Sequence, residues 1–374
     1  MIINDNILKY GEKAVFSLRE LYSRYGYAPY KMSKFEEYDF YVKNKDFLIS
    51  DGVITFTDTN GRLKALKPDV TLSIIKNSKD IPGFVQKLYY DENVYRVSES
   101  SHRFKEVMQV GLECIGDIDN YCRGEVVSLA AKSLLSIDKD VVLDISHLGI
   151  INAVFDKAAV PDDKRGYFIS LMGEKNAHQL VDACKSLSIS AEGTLLIEKL
   201  CRTYGKPEKV LPILHEIFEQ VPDRSSLEAL CEILQSLDDT DRDIINIDFS
   251  VVSDIKYYNG IVFKGFINGI PGSVLSGGQY DSLMTKMNKK SSAIGFAVYL
   301  DLLDRLENNK IKYDAETVLL YKSGENVCDI KRAISKISEK SGSVTVQRSL
   351  PDGFTYKALY VLEEGEVKLV ENNA

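Results

Sequence analysis

The spacing of hydrophobic residues changes character several times along this 374-residue chain. In the first segment Ile7, Leu8, Val15, Leu18, Leu21, Tyr22 and Tyr25 fall near one helical stripe, and Gly26 ends it, which predicts an opening helix over Ile7 to Tyr25. From Val53 to Gly116 the pattern turns to short runs, VITFTD, KLYYDENVYRV and FKEVMQVGLECIG, bounded by Asn-Gly, Asp and Ser-rich turns, which predict strands. Residues 151 to about 240 show repeated leucine spacing with few β-branched clusters and read as helices. Within them Ser225 and Glu228 have capping-box spacing ahead of the stripe Leu227, Leu230, Cys231, Leu234 and Leu237. Ile261 to Ile267 and Ile270 to Leu275 flank Asn268-Gly269, a pair that accepts the positive φ of a tight hairpin turn. Past about residue 312, strand TVLLY, a helix from Asp329 to Lys340, and strands SVTVQ and KALYVLE predict a small α/β unit. The chain is therefore expected to be α+β, with a core built from 1–150 and 241–312, a helical insertion at 151–240 and a C-terminal unit at 313–374.

Composition narrows the function classes. Apolar residues make up 44% and charged ones 27%, no apolar run approaches the roughly 20 residues of a bilayer crossing, and the opening MIINDNILKY lacks the features of a secretory signal, so a cytoplasmic protein without a membrane span is expected. Cys114, Cys122, Cys184, Cys201, Cys231 and Cys328 form no CxxC pair, and the four histidines complete no ligand spacing with them. Buried free thiols are expected, with neither a metal nor a cofactor. The net charge of −8, and 10 Lys or Arg against 15 Asp or Glu in the helical insertion, disfavour a nucleic-acid grip.

Four segments carry candidate chemistry. As a strand, FKEVMQVGLECIG puts Met108, Val110, Leu112 and Cys114 on an apolar face and Gln109, Gly111 and Glu113 on the other. That second face is either a polar floor for a ligand or an ordinary solvated strand face. In LKALKPDVT, Pro68 stiffens a turn that Asp69 and Thr71 follow, a pattern that also suits a surface turn. In SDIKYYNGIVF, Tyr257 and Tyr258 lead into the hairpin, where one core ring and one exposed ring are expected. In SVLSGGQYDSL, Gly277 and Gly278 permit close backbone approach ahead of Tyr280 and Asp281.

Taken together and in this order, these segments resemble the class II catalytic core of histidyl-tRNA synthetase. YRVSES with SHRFKEVMQVGLECIG is similar to its motif 2, FTDTNGRLKALKPDVT to its amino-group-binding turn, SDIKYYNGIVF and SGGQYDSL to its histidine-specific loops, and SAIGFAVYLDLL to its motif 3 helix. The likeness spans about residues 1–150 and 240–310 and implies an antiparallel sheet flanked by helices. It implies that Asp69 meets an α-amino group and that Gln109, Glu113, Tyr258 and Tyr280, with Thr71 and Tyr257 beside them, line a histidine pocket. Neutral imidazole offers one donor and one acceptor, which a carboxylate and a tyrosine hydroxyl can serve.

The same resemblance exposes departures from the enzyme. The motif 3 arginine falls at Leu302; motif 2 keeps Arg96, but the acidic residue two positions later is Ser98; the arginine of the histidine-specific loop falls at Ser253, with Asp254 and Lys256 nearby. Removing one charge-stabilising donor costs about 100-fold to 1000-fold in rate, so losing two arginines implies abandoned catalysis and no catalytic residues. Within the family, this pattern with LKPDVT and DISHLG (Asp144 to Gly149) resembles the regulatory subunits of ATP phosphoribosyltransferase; Lys67 departs from the arginine usual before the proline. That likeness implies a homodimer through the class II core, assembled with short-form catalytic subunits in a hetero-octamer, with histidine as effector. The competing expectations are a working histidyl-tRNA synthetase and an RNA-binding pseudo-synthetase.

Overall fold

The computed structural model describes residues 8–45, 48, 52–97, 103–251, 257–303, 313–341 and 343–373. Ser98 and Ser253, with Asp254, Lys256 and Ile7, lie outside the described residues. The chain divides into two compact units, Met1–Leu306 and Glu307–Ala374.

In the first unit, α1 (Tyr10–Arg24) buries Ala14, Val15, Leu18 and Tyr22. Gly26, at φ 80°, stops it: the Gly26 N–H reaches Ser23 O and the Tyr27 N–H reaches Tyr22 O, each at 3.1 Å, closing the orphan carbonyls in a left-handed cap. After β1 (Ala28–Pro29), a small antiparallel sheet forms from β2 (Phe35–Glu37), β3 (Thr55–Thr57) and β4 (Leu63–Leu66), with α2 (Tyr38–Lys43) between β2 and β3 and α3 (Thr71–Asn77) after β4. The long hairpin of β5 (Val85–Val97) and β6 (Phe104–Gly116) follows, then α4 (Asn120–Ile137) and β7 (Val141–His147).

The next stretch is helical: α5 (Leu148–Lys157), α6 (Asp162–Gly173), α7 (Ala177–Ser186), α8 (Ala191–Arg202), α9 (Pro207–Phe218), α10 (Ser225–Ser236) and α11 (Asp239–Asp243), interrupted by the two-residue β8 (Tyr204–Gly205). These helices contribute Ile150, Phe168, Leu196, Leu214 and Leu230 to the same apolar cluster that backs the sheet. The stripe of α10 is buried as expected at Leu227, Leu230 and Leu234, but its start differs: Ser225 is already helical, and its N–H is taken by Asp223 at 3.0 Å, so no Ser225–Glu228 box forms. Asp223 competes successfully because an Asx turn satisfies the same donor two residues earlier.

The chain then returns to the sheet with β9 (Ile245–Asp248), β10 (Ile261–Ile267), β11 (Leu275–Gln279), α12 (Asp281–Lys286) and β12 (Ser292–Tyr299). The strand order is β1-β5-β6-β12-β11-β10-β7-β9-β8, antiparallel except for the β1–β5 and β7–β9 pairs. The expected two-residue Asn268-Gly269 hairpin is corrected: Gly265 pairs with Leu275, so the second strand starts at Leu275 rather than Ile270. Asn268-Gly269 still makes a turn, with Ile270 N–H to Ile267 O at 3.1 Å, but Asn268 N–H is drawn off to Asp140 O at 3.0 Å, beside the start of β7.

Helices cover both faces of the sheet. On one, α1 and α4 meet Val110, Leu112, Cys114, Leu143, Ile145, Phe263 and Phe296. On the other, α2, α3 and α12 bring Tyr41, Leu72, Ile74, Leu283 and Met284 against Tyr90, Val94, Ile115 and Ala293. The expected apolar face of β6 is present except at Met108, which is 36% exposed towards the turn end of the hairpin.

The second unit has β13 (Ala315–Tyr321), α13 (Val327–Ser341), β14 (Thr345–Gln347), β15 (Tyr356–Glu363) and β16 (Glu366–Asn372), in the order β14-β13-β15-β16. Ala333 and Ile337 of α13 pack on Leu319 and Leu362. Of the cysteines, Cys114, Cys122 and Cys184 are buried, Cys201 and Cys231 are half-buried, and Cys328 on α13 is exposed, which corrects the expectation of uniformly buried thiols. Among the described residues no helix is long and apolar enough to cross a membrane.

The α4 cap offers a direct test of this packing. Asp119 accepts the Cys122 N–H at 2.9 Å ahead of a helix that buries Val126, Leu129, Ala130 and Leu134. Asp119→Ala is expected to lower stability by about 1 kcal/mol, read as a lower urea midpoint at unchanged slope. An unmoved midpoint would show that the cap does not hold the helix.

Candidate ligand-binding site

The polar face of β6 is neither solvated nor open. Gln109 and Glu113 are 3% and 2% exposed, because α3 and the start of α12 close over that side of the sheet. Register sets what surrounds them. Tyr90 of β5 lies opposite Gly111, Gly295 of β12 opposite Glu113, Ala297 opposite Gly111, and Gly278 and Ser276 of β11 continue the two rows. Small residues on three adjacent strands thus form a floor from which the larger side chains rise.

The glycines are required by what passes over them. A Cβ on Gly111 would sit 2.5 Å from the Tyr90 hydroxyl oxygen, and a Cβ on Gly295 would overlap the Glu113 carboxyl. One at Gly278 would press 2.7 Å from the Tyr258 ring. The floor therefore trades side-chain packing for room in which Tyr90, Glu113 and Tyr258 stand close together.

Glu113 is the centre of the arrangement. Its Oε1 accepts the Thr71 hydroxyl at 2.6 Å and its Oε2 accepts the Tyr280 hydroxyl. Burial pushes this carboxyl up to about 8, against the two hydroxyls, which favour the anion; repulsion from Asp69 adds to the rise. Asp69, 7% exposed, lies in the turn before α3 and accepts the Leu72 N–H at 2.8 Å. Burial raises its pKa too, opposed by the Leu72 and Thr71 N–H groups and by the charge of Arg96. Arg96 donates from Nε to Pro68 O at 3.0 Å, which ties β5 to the same turn.

Tyrosines wall the site. Tyr257 stacks edge-on against Tyr258 at 4.8 Å and lies 5.7 Å from Tyr280, with a hydrogen bond to Thr71. The expectation of one core and one exposed ring is corrected: both Tyr257 and Tyr258 are half-buried, and they precede β10 rather than belonging to it, so strand alternation does not apply to them. Tyr90, which the sequence reading did not single out, is fully enclosed, and burial next to Glu113 and Asp69 holds its phenol well above its ordinary value. Tyr280 and Tyr257 are held high for the same reason.

All seven expected pocket residues, Asp69, Thr71, Gln109, Glu113, Tyr257, Tyr258 and Tyr280, thus belong to one face of the sheet and the elements closing on it. Two carboxyls among aromatic rings suit a ligand that brings positive charge or several N–H donors. Lys67 is 1% exposed and spends its charge on Glu92 at 2.6 Å, so it serves the wall rather than the pocket. Leu302, on a 3-10 turn at Leu300–Leu302, packs half-buried against the opposite, apolar side of the sheet. Among the described residues no cluster of His, Cys, Asp and Glu has the form of a metal site.

The family model described as Histidyl-tRNA synthetase matches residues 7–303. The chain belongs to that family. Among curated relatives, an ATP phosphoribosyltransferase regulatory subunit from Oceanobacillus iheyensis is 27% identical over 283 residues, covering 75% of this chain and 69% of the relative. Another of the same description, from Caldanaerobacter subterraneus subsp. tengcongensis, is 28% identical over 338 residues, covering 87% and 86%. A histidine–tRNA ligase from Methanocaldococcus jannaschii is 26% identical over 333 residues, covering 87% and 79%. Among solved structures, an ATP phosphoribosyltransferase regulatory subunit/histidyl-tRNA synthetase from Bacillus halodurans aligns with TM-score 0.75 at 22% identity, over 96% of each chain. A chain of the ATP phosphoribosyl transferase (HisG:HisZ) complex from Thermotoga maritima aligns with TM-score 0.58 at 19% identity, over 78% of this chain and 97% of the other. The fold is that of a class II synthetase core, α+β, with the small α/β unit following it.

The raised Glu113 carboxyl gives a pH signature. Its folded pKa of about 8 exceeds the ordinary carboxylate value, so its contribution to stability is full below that ordinary value and is lost as pH rises through about 8. Glu113→Gln, which mimics the neutral acid, should match the parent near pH 5 and exceed it at pH 8 by roughly 1–3 kcal/mol. Asp69 shifts in the same direction and leaves a residual slope in both proteins. Urea unfolding from pH 5 to 8 reads the difference; parallel profiles would mean that Glu113 is ionised in the folded protein.

Proposed function

We propose that this protein is the regulatory subunit of an ATP phosphoribosyltransferase: it has no synthetase activity, activates a short-form catalytic subunit, and transmits feedback inhibition by histidine in histidine biosynthesis. The observation that supports the reading is the buried Glu113 cluster, with Thr71 and Tyr280 on its two oxygens, in a chain where the resemblance puts the motif 3 arginine at Leu302. In this reading, histidine places its ammonium group at Asp69 and its imidazole at Glu113 and the tyrosines, with Gln109 between. Leucine has no donor to offer a phosphate, so recognition is kept while adenylate chemistry is not.

The relatives described as ATP phosphoribosyltransferase regulatory subunits support the partner. The assembly is proposed as a homodimer through the class II core within a hetero-octamer, in the cytoplasm, without nucleic acid. A ligand biases such an assembly only through different affinities for its two states, and a pocket enclosed by α3, α12 and the sheet floor provides a surface whose closure both states can sense. The insertion 151–240 and the unit 313–374 are proposed as contact surfaces for partners.

The decisive assay is phosphoribosyl-ATP formation by a short-form catalytic subunit with and without this chain, each titrated with histidine. Activation reversed by histidine is expected, and Glu113→Ala and Asp69→Ala should retain activation while raising the inhibitory histidine concentration about tenfold or more. Absence of both activation and co-purification would defeat the reading. Robust ATP–pyrophosphate exchange with histidine would instead establish a working synthetase.

A further inference from the structure

One buried hydroxyl near the pocket is unpaired among the described residues. Tyr41, on the short helix α2, is 1% exposed and shares its apolar cluster with Val70, Leu72, Tyr90 and Tyr280. Its ring is well packed, with Phe40 at 5.2 Å. Its hydroxyl, however, has no hydrogen-bond partner among the described residues. A buried, unpaired hydroxyl costs stability, whereas phenylalanine would fill nearly the same space without that cost. The charged group acting most strongly on this hydroxyl is Asp69, ahead of Glu36. Asp69 itself has accepting capacity left beyond the Leu72 N–H, since a carboxylate offers about four lone-pair sites.

We infer that Tyr41 is a specificity-determining residue of the pocket: its hydroxyl oxygen accepts one N–H of the primary ammonium group that Asp69 anchors. The inference rests on the reading of the site as an amino-acid pocket and adds to it the means of selecting a primary amine. A primary ammonium carries three N–H donors, and a carboxylate takes them well only where neighbouring acceptors share the load. Asp69 supplies the charge, and Tyr41 supplies a neutral, fixed acceptor that a ligand without the amine leaves unused. A site built to hydrogen-bond a group rejects analogues that lack it far more strongly than apolar fit alone allows.

The test compares the parent with Tyr41→Phe by calorimetric titration of histidine and of imidazolepropionate, which keeps the imidazole and carboxylate but lacks the amine. Expected are an about tenfold or greater loss of histidine affinity in the variant, unchanged imidazolepropionate affinity, and a thermal midpoint of the free protein equal to or above that of the parent. Equal histidine affinity in parent and variant would overturn the inference and leave the pocket reading standing. A parallel loss for both ligands together with a lowered midpoint would also overturn it, because Tyr41 would then be a packing residue. Failure of the parent to bind histidine at all would defeat the underlying pocket reading instead.

Discussion

The site depends on one constraint: Glu113 is taken out of water with hydroxyls, rather than a cation, on its two oxygens. An ionised carboxylate buried in this way carries a desolvation penalty that hydrogen bonds from Thr71 and Tyr280 offset only in part, and so its proton affinity rises. Much around it follows. The floor beneath must be glycine at 295 to admit the carboxyl. The α3 turn must begin where it does to place Thr71 on Oε1, and Tyr280 must sit at the entry to α12 to reach Oε2. The buried Lys67–Glu92 pair and the Arg96 contact to Pro68 then lock the Lys67–Asp69 turn onto β5, which fixes Asp69 relative to the pocket.

Such a centre is poor material for stability and good material for recognition. Packing a second carboxyl, Asp69, within repulsive reach of Glu113 costs the ligand-free fold, and the cost falls when positive charge or N–H donors arrive. Tyr90, Tyr257 and Tyr280 add polar tips that burial holds firmly protonated, so each can donate a hydrogen bond while presenting an apolar ring. Strain of this kind accumulates at ligand sites, because elsewhere a leucine core would be the more stable solution.

How far the sequence could show this differs from residue to residue. The two faces of β6 followed from alternation alone, and the pocket residues followed from the resemblance. Tyr90 was in principle legible: once the β5–β6 hairpin is fixed by pairing Val97 with Phe104, counting inward puts Tyr90 opposite Gly111. The burial of the polar face was not, because it depends on α3 and α12 arriving from distant parts of the chain, and alternation cannot tell a solvated face from one covered by another element. The Ser225 box was misplaced because the Asp223 carboxylate captured the Ser225 N–H that the box would have given to Glu228, and the Asn268-Gly269 turn, though formed, is followed by a stretch outside the ladder before Leu275 takes it up. β16 was missed because it is almost wholly exposed and its alternation, Glu366 to Leu369, is short; what defines it is the two-residue turn at Glu364 and Gly365, both at positive φ.

The distribution of retained and altered residues has a physical logic in the proposed reading. Gln109, Gly111 and Glu113 are on a central strand, with partners on both sides, and the pocket tyrosines are wedged among elements that pack on it. Changing any of them disturbs a buried, hydrogen-bonded neighbourhood, which opposes drift even when no ligand is bound. By the resemblance the synthetase arginines, in contrast, would fall at Leu302, just after β12, and at Ser253. Their task is to meet phosphate, and the fold does not need it. At Leu302 the replacement even contributes apolar contact to the core. In the proposed reading, a chain freed from adenylate formation gains apolar contact at Leu302 without a guanidinium, whereas the packing continues to hold Glu113 and its neighbours. If histidine is bound here as proposed, a synthetase fold can serve control without rebuilding the sheet, because recognition and adenylate chemistry would rest on side chains that the structure secures by different means.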